Sequence, residues 1–339
     1  KIKTLKNVMK SSITYSLLLA AAACGVALGQ TTAYTTPVGY TTQTLAANKT
    51  TLVGFDVVSP AAVSGVLTGV SGATLTDSNI DFGASLTAGK TYVLDIKSGT
   101  AIGTVQEFVT WNGNSFTLPA AVTGTAIGDT YSIRVAPTLQ ETFPVGFLAG
   151  ATGAANADKV WIPNGSGGYS KYYYRVTISP TGWRTTTTGS NDTGAAPASV
   201  PLVYIDGLLI EKKGTAKDLV LSGEVKTGVS NTLLYVGTNP VSVVAPGLTL
   251  ATSGLQGDIA SSTGAANADK VWVPNGSGGY TKYYHRITIS PTGWRTTTTG
   301  SNDTGAAPAD VPLGAAIFIE RKGTSKVVSF AVPASYSTL

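Results

Sequence analysis

The sequence predicts an all-β protein built from antiparallel β-sandwich or barrel modules in tandem, with a helix only in an N-terminal signal peptide. Three observations support this fold class. The composition combines 40 Gly and 16 Pro with few charged residues (12%), and its abundant Thr, Val and Tyr favour half-buried strands while Gly favours turns. No apolar stripe with helical spacing follows the N-terminus. A long segment recurs almost unchanged, which indicates modular construction.

The N-terminus has the pattern of an export signal. A basic segment precedes an apolar run at 13–23, and a small-residue cleavage site ends at Gly29. We interpret residues 1–29 as a signal peptide with an upstream extension, because the apolar run is too short to span a membrane. A lipoprotein site at Cys24 is the alternative, and it would leave a lipid anchor. We therefore expect export to the extracellular space or cell surface, with the periplasm also open, and no membrane span in the mature chain.

Removal of this segment changes the charge balance. Residues 1–29 hold four lysines and no acid, so the formal charge falls from +5 to +1. A chain so close to neutral lacks the basic surface that nucleic-acid binding needs. The only cysteine also lies in this segment, so we expect no disulfide and no thiol chemistry in the mature protein.

An internal repeat dominates the rest of the chain. Residues 152–202 recur at 263–313 with five differences in 51 positions, and the similarity resumes after a two-residue gap. Such near-identity indicates a recent tandem duplication, and each copy approaches the size of a small domain. The predicted segments are 1–29 (signal peptide), 30–148 (N-terminal β-domain), 149–258 (first β-repeat module) and 259–339 (second, shortened module).

The strands within one copy follow from alternation and turn residues. "KVWIP" and "YSKYYYRVTI" flank "NGSGG", so 159–178 is predicted to be a hairpin. "WRTTTT" predicts a third strand, and "GSNDTGAAPA" predicts a polar loop whose side chains bond their own backbone. Two more strands are expected around Lys213, which gives an antiparallel meander of about five strands.

Several segments together resemble one family. They are "TTPVGYTTQTL", "YVLDIKSGTAIG", "GDTYSIRVAPTLQETF", "ANADKVWIPNGSGGYSKYYYR", "GWR" and "DGLLIEKKGTAKDLVLSGEVKTG". The family comprises conserved hypothetical, secreted β-rich bacterial proteins, and residues 229–339 resemble a second copy of its C-terminal half. The resemblance implies export and an all-β fold. The family has no assigned activity, so the resemblance implies no site.

The inventory of side chains argues against an enzyme. A nucleophilic triad needs an imidazole, and the single histidine, His285, replaces a tyrosine of the first copy on an apolar strand face. A glycoside hydrolase needs two carboxylates across a cleft, and most acids here lie in turns, where they cap backbone amides. The acids of the two copies are Asp158, Asp192, Asp206, Glu211, Asp269, Asp303, Asp310 and Glu320.

The sequence indicates no firm cofactor or metal site. Oxygen-rich loops resemble those that hold Ca²⁺ in secreted β-proteins, although no complete calcium-loop pattern occurs. The weak calcium candidates are Asn156, Asp158, Asn191, Asp192, Asn302 and Asp303. Asx turns that bond their own backbone are the favoured explanation of these residues.

The repeated aromatic and basic strand is the main binding signal. Its side chains alternate outward if the isoleucine face is inward, and flat rings beside cations suit sugars or a neighbouring subunit. Cross-strand pairing within the sheet is the alternative role. The candidate ligand- or partner-binding residues are Tyr169, Tyr173, Arg175, Trp183, Tyr280, Tyr284, Arg286 and Trp294, and the two tryptophans are also expected to seal each module's core edge.

These observations favour a non-enzymatic secreted or cell-surface structural protein, a β-modular component of an extracellular layer, filament or matrix. Its expected partners are copies of itself or cell-surface glycans. A carbohydrate-binding or adhesive module that uses the Tyr/Arg strand faces is the alternative. A secreted hydrolase with a carboxylate pair is the third hypothesis, and it requires that two acids share a cleft.

Overall fold

Antiparallel sheets account for almost all of the regular structure in the computed structural model, which describes residues 36–187, 189–298, 301–308 and 310–338. The predicted all-β class is therefore confirmed, and the signal-peptide prediction lies outside the described residues. All of the strands belong to one unit, Val38–Leu339.

The described residues form twenty-four strands, three short α-helices and one 3₁₀ helix. The first part contains β1 (Val38–Leu45), β2 (Thr50–Val53), β3 (Ala61–Val66), β4 (Gly69–Ser71), β5 (Thr74–Thr76), α1 (Phe82–Ser85), β6 (Tyr92–Ile96), β7 (Val105–Phe108), β8 (Thr110–Asn112), β9 (Ser115–Thr117), β10 (Thr130–Val135) and α2 (Leu139–Thr142). The first sequence repeat contains β11 (Lys159–Pro163), β12 (Tyr169–Arg175), β13 (Gly182–Thr186), β14 (Asp192–Ala195), β15 (Leu208–Glu211) and β16 (Lys217–Glu224). The remainder contains β17 (Ser230–Leu234), β18 (Gly237–Ser242), α3 (Leu255–Asp258), β19 (Lys270–Pro274), β20 (Tyr280–Arg286), β21 (Gly293–Thr297), β22 (Asp303–Ala306), β23 (Ala316–Arg321), β24 (Lys326–Phe330) and a 3₁₀ helix (Ala334–Thr338).

The predicted hairpin and third strand of each copy form as expected. Strands β11 to β13 run antiparallel in sequence order, and Asn164 accepts backbone hydrogen bonds from Ser166 and Gly168 at the hairpin tip. Gly165 takes a left-handed φ of 71° in this turn, a conformation that glycine adopts without a steric penalty. The predicted polar loop contains a short edge strand, β14, and the fifth strand, β15, pairs with β11 rather than with β14.

The duplication extends upstream of the sequence repeat. The two six-stranded sheets have the matching orders β14-β13-β12-β11-β15-β2 and β22-β21-β20-β19-β23-β18. Two-stranded ribbons also match, since Leu45 faces Lys217 in β1–β16 and Leu234 faces Lys326 in β17–β24. Strands β1 and β2 are thus the counterparts of β17 and β18, so strand pairing crosses the segment boundaries expected at 148 and 258.

Strands β3 to β10 are an insertion into the first copy, between β2 and α2. They form two four-stranded sheets, β3-β10-β6-β7 and β4-β5-β9-β8, around a core in which Phe116 packs edge-on against Phe82 and stacks with Phe108. The insertion is joined to the first repeat by buried ion pairs, Arg134 with Glu224 and Lys226 with Asp95. Removing one member of such a pair leaves an uncompensated buried charge, so these pairs fix the position of the insertion.

Candidate functional site

Three features of the molecule bear on function: the repeated Tyr/Arg strand, the exposed faces of the ribbons, and a cavity where the insertion meets both repeats.

The repeated Tyr/Arg strand carries an ion-pair cluster. Asp192 on β14 accepts hydrogen bonds from the Tyr173 hydroxyl (2.5 Å), Arg175 Nη1 (2.9 Å) and Arg184 Nη2 (2.7 Å). The hydrogen bonds from Arg184, followed by that from Tyr173, hold the pKa of the Asp192 carboxyl well below its usual range, although partial desolvation opposes them. Three neighbouring strands are therefore tied at one carboxylate.

The second copy repeats this cluster almost unchanged. Asp303 accepts from Tyr284 (2.6 Å), Arg286 (2.8 Å) and Arg295 (2.9 Å). The arginines that grip each aspartate in a forked geometry, Arg184 and Arg295, were not among the residues chosen from the sequence. A bidentate arginine–carboxylate pair adds geometric specificity, so the cluster functions as an internal clamp on the edge strand.

The prediction that Tyr173 and Tyr284 stand on an exposed face is wrong, because both are 0% exposed. Ala151, Ala154 and Ala157 pack over Tyr173. The alternation of β12 correctly separated its two faces, but a loop covers the outer one. Asp158 holds this loop in place by accepting from Ala149 N, Lys212 Nζ and Lys213 N.

Tyr169 and Tyr280 lie in an aromatic layer between the two six-stranded sheets. Tyr280 is 5.2 Å from Phe318 and Tyr169 is 6.0 Å from Trp161, both measured between ring centroids. The aromatic layer comprises Leu52, Trp161, Tyr169 and Leu209 of the first sheet and Trp272, Tyr280, Ala316 and Phe318 of the second. The two repeats therefore pack together through the faces that were expected to bind glycans.

Trp183 and Trp294 occupy equivalent positions in the two copies, and each seals the core of its own copy. Trp183 is 5% exposed, and its Nε1 donates to Gln140 Oε1 at 3.0 Å. Trp294 packs at the edge of the second core, 5.4 Å from the ring of His285. The His285 Nδ1 lies 3.0 Å from Ser261 Oγ, and burial lowers the pKa of the imidazole.

The calcium candidates fall into two groups. Asp158 is buried against Lys212, and Asp192 and Asp303 each contact two arginines, so a calcium ion would have to displace cations of the protein. The amides Asn156, Asn191 and Asn302 are exposed in loops. Across the described ranges, no group of three or more His, Cys, Asp or Glu side chains is close enough to hold a metal ion.

Each ribbon presents an apolar face to solvent. We call β1 with β16 the first ribbon and β17 with β24 the second. On the first, Tyr40 is 78% and Val220 59% exposed; on the second, the directly opposed Leu233 and Val327 are 46% and 50% exposed. Each ribbon contains two strands among the described residues. Glu224 pairs with Val58 at the end of the first ribbon, and on the second the N–H groups of Asn231 and Ser329 donate to Gly103 and Asp258. The rest of the outer edges keep backbone groups that can pair with another chain.

A cavity of about 230 Å³ lies where the insertion meets both repeats. We call it the junction cavity. Glu107 from β7, Asp206 from the first repeat and Thr232 from the second repeat line it, together with the rings of Tyr169 and Tyr235. Burial, followed by the charge of Glu107, raises the pKa of Asp206 to about 7. Two carboxylates therefore share a cleft, the condition that the hydrolase hypothesis requires.

The sequence placed Asp206 among the acids and missed Glu107 and Thr232. Asp206 follows the two-residue gap in the repeat and has no acidic counterpart in the second copy, where Ala315 stands. This departure from the repeat was the one available signal.

Comparison of the chain with protein-family models, with curated proteins and with solved structures finds no match. Within the part of the chain that the structure describes, no helix has the length and apolar character needed to cross a membrane.

Proposed function

We propose that the protein is a non-enzymatic structural component of an extracellular layer, filament or matrix, exported by its signal peptide, that assembles through its two ribbons. The observation that carries the proposal is the occurrence of an exposed apolar ribbon at equivalent positions in both copies.

The two ribbons favour an assembly that extends from chain to chain rather than a closed symmetric dimer. They occupy matching places in the two copies but differ in sequence, so the first ribbon of one chain and the second ribbon of the next would form a heterologous contact. A heterologous contact produces rings or open filaments, depending on the rotation that it imposes. Exposed strand edges supply backbone hydrogen bonds, and Tyr40, Val220, Leu233 and Val327 supply apolar area.

The aromatic layer and the Asp192 and Asp303 clusters support a load-carrying role. They fix the repeats to each other and the edge strands to their sheets, so two contact surfaces per chain would keep a constant relative position. A fixed geometry lets a second contact form at high effective concentration once the first has formed.

Tyr40→Lys in the first ribbon and Val327→Lys in the second test the proposal. We expect the unmodified chain to form concentration-dependent oligomers in light scattering and ordered assemblies in electron micrographs, and each variant to lower the mean mass. Val109→Lys is the matched control, because Val109 is 64% exposed but lies outside both ribbons. A monomer at all concentrations, or equal loss in the control, would contradict the proposal.

A hydrolase that uses Glu107 and Asp206 is the second candidate, favoured by their shared cavity. Turnover of chromogenic glycosides that disappears in Asp206→Asn would support it over the structural proposal. Glycan binding through the Tyr/Arg strand face has lost its main support, because Tyr173 and Tyr284 are buried. A glycan array with the full chain tests the glycan-binding hypothesis.

A further inference from the structure

The junction cavity carries negative charge that no cation of its wall compensates. Its described lining includes Glu107 and Asp206 but no lysine, arginine or histidine. Two buried aspartates at equivalent positions in the copies, Asp158 and Asp269, are by contrast paired with Lys212 and Arg321. The junction cavity therefore differs from these structural ion pairs.

Asp206 is held firmly with its carboxylate unpaired. Its backbone N–H donates to Val203 O at 3.0 Å, and its carbonyl accepts from the Ser242 hydroxyl at 2.7 Å. The side chain of Asp206 is partly exposed because it lines the cavity, and within the described chain no group donates a hydrogen bond to its carboxylate. A carboxylate without a protein partner can pair with the N–H donors of a ligand.

Thr232 gives a second, independent indication of a ligand. It is 4% exposed, lines the same cavity, and its Oγ1 has no hydrogen-bond partner. Buried hydroxyls are nearly always paired in folded proteins. The rings of Tyr169 and Tyr235 and the aliphatic side chains of Val203 and Leu233 complete the wall, so polar acceptors converge beside apolar surface, as they do in small-molecule sites.

We propose that the junction cavity binds a small organic cation, a primary ammonium group carried on a short apolar chain. An ammonium group has three N–H donors and no acceptor, which matches the two carboxylates and, once its side chain rotates toward the cavity, the Thr232 hydroxyl oxygen. The tyrosine rings suit the charged group and its attached carbons. The cavity shares Thr232 and Leu233 with β17 of the second ribbon, but ligand binding does not require assembly.

Other ligands fit these groups less well. A neutral sugar would leave the charge of both carboxylates uncompensated. Calcium takes six to eight oxygen ligands, whereas Glu107, Asp206 and Thr232 offer five side-chain oxygens at most, from three parts of the chain.

The site should respond to pH near neutrality. Burial and the facing Glu107 raise the pKa of Asp206 to about 7, and burial raises the pKa of Tyr169 to about 12, so the phenol stays neutral. An alkylammonium such as that of lysine stays charged below pH ~10. Protonation of Asp206 removes the partner charge, so affinity should fall about tenfold between pH 8 and pH 6.

Isothermal titration of the full chain with n-butylammonium chloride tests the proposal. We expect saturable binding at pH 8, weakened at least tenfold in Asp206→Asn and at least threefold in Glu107→Gln and Thr232→Val. Asp218→Asn, an exposed acid outside the cavity, is the matched control and should bind within twofold of the unmodified chain. Glu107 is itself exposed, so its variant tests the site even if Asp206→Asn alters folding.

The neutral analogue 1-butanol, methyl β-glucopyranoside and calcium chloride complete the experiment. We expect none of them to compete with n-butylammonium at equal concentration. Equal binding of 1-butanol, tighter binding of the glucoside or of calcium, unchanged affinity in both carboxylate variants, or no binding at millimolar concentration would each overturn the proposal.

Discussion

Replacing Phe318 by alanine tests how strongly the two repeats hold each other. Phe318 is 7% exposed in the aromatic layer, and its ring centroid lies 6.0 Å from that of Trp272 and 5.2 Å from that of Tyr280. Truncation of a buried phenylalanine costs about 3–5 kcal/mol, from lost transfer free energy and the cavity left behind. We expect about 3–4 kcal/mol here, because neighbouring side chains of the layer can relax into part of the space.

The first repeat supplies a matched control for this substitution. Leu209 faces Trp161 in the first sheet as Phe318 faces Trp272 in the second. Phe318→Leu therefore installs the first copy's residue at the equivalent position and keeps most of the apolar volume. A substitution of this kind is expected to cost below about 1.5 kcal/mol.

Urea unfolding, followed by tryptophan fluorescence and by far-UV circular dichroism, measures both free energies. The five tryptophans include Trp161 and Trp272 in the aromatic layer, so fluorescence reports on separation of the sheets. Coincident transitions would justify two-state analysis. A cost below 1 kcal/mol for Phe318→Ala, or equal costs for the two variants, would refute packing of the repeats through this layer.

Three further predictions concern charged groups, each measured by urea unfolding. Asp269→Asn should cost about 3–5 kcal/mol because Arg321 remains buried without its carboxylate, whereas Arg321→Lys, which restores the first copy's pairing, should cost under ~1.5 kcal/mol. Ionisation of Asp206 in the folded state opposes folding, since its raised pKa makes the native chain bind more protons than the unfolded chain. Relative to Asp206→Asn, stability should fall from pH 4 to pH 7 by up to about 4 kcal/mol, and a flat difference would contradict this. Asp192→Asn and Asp303→Asn should cost similar amounts, about 1–2 kcal/mol each, because their clusters match. The contribution of each carboxylate should begin to decline as pH falls below ~4 and be lost as pH falls through the lowered native pKa of the group. A large inequality between the two variants would contradict the equivalence of the copies.

The local structure of the repeat was accessible from the sequence because alternation and turn residues act over short distances. The strand expected at "KVWIP" matches β11, Lys159–Pro163, and the hairpin with β12 forms around Asn164. The sequence placed the two acids that clamp the edge strands, Asp192 and Asp303, in turns and as weak calcium candidates, and did not pair them with arginine. Their role depends on arginines brought close by strand pairing, which the local pattern does not encode.

The sequence does not show that the duplication includes the ribbon strands, because strand pairing depends on backbone groups rather than on particular side chains. Leu45 of β1 and Leu234 of β17 occupy equivalent positions in the two ribbons, but most other positions of these strands differ in sequence. A two-stranded ribbon keeps its hydrogen bonds with many side chains, provided that the alternation of buried and exposed residues is kept. The insertion also separates β2 from the rest of its sheet, so sequence proximity suggested an independent N-terminal domain.

The conspicuous aromatic residues that the two copies share lie within the copies and between them, and not on an exposed binding face. Tyr169 and Tyr280 lie in the shared aromatic layer, and Tyr173 and Tyr284 are buried in the twin clusters, so the conspicuous aromatic residues of the repeat are used for internal packing. The Asp206 carboxylate, which no cation of the cavity wall pairs, lies instead where the first copy departs from the second and the insertion contributes Glu107. In a duplicated protein whose copies pack together, repeated residues serve both copies alike, and a single ligand site can arise only where the symmetry between them is broken.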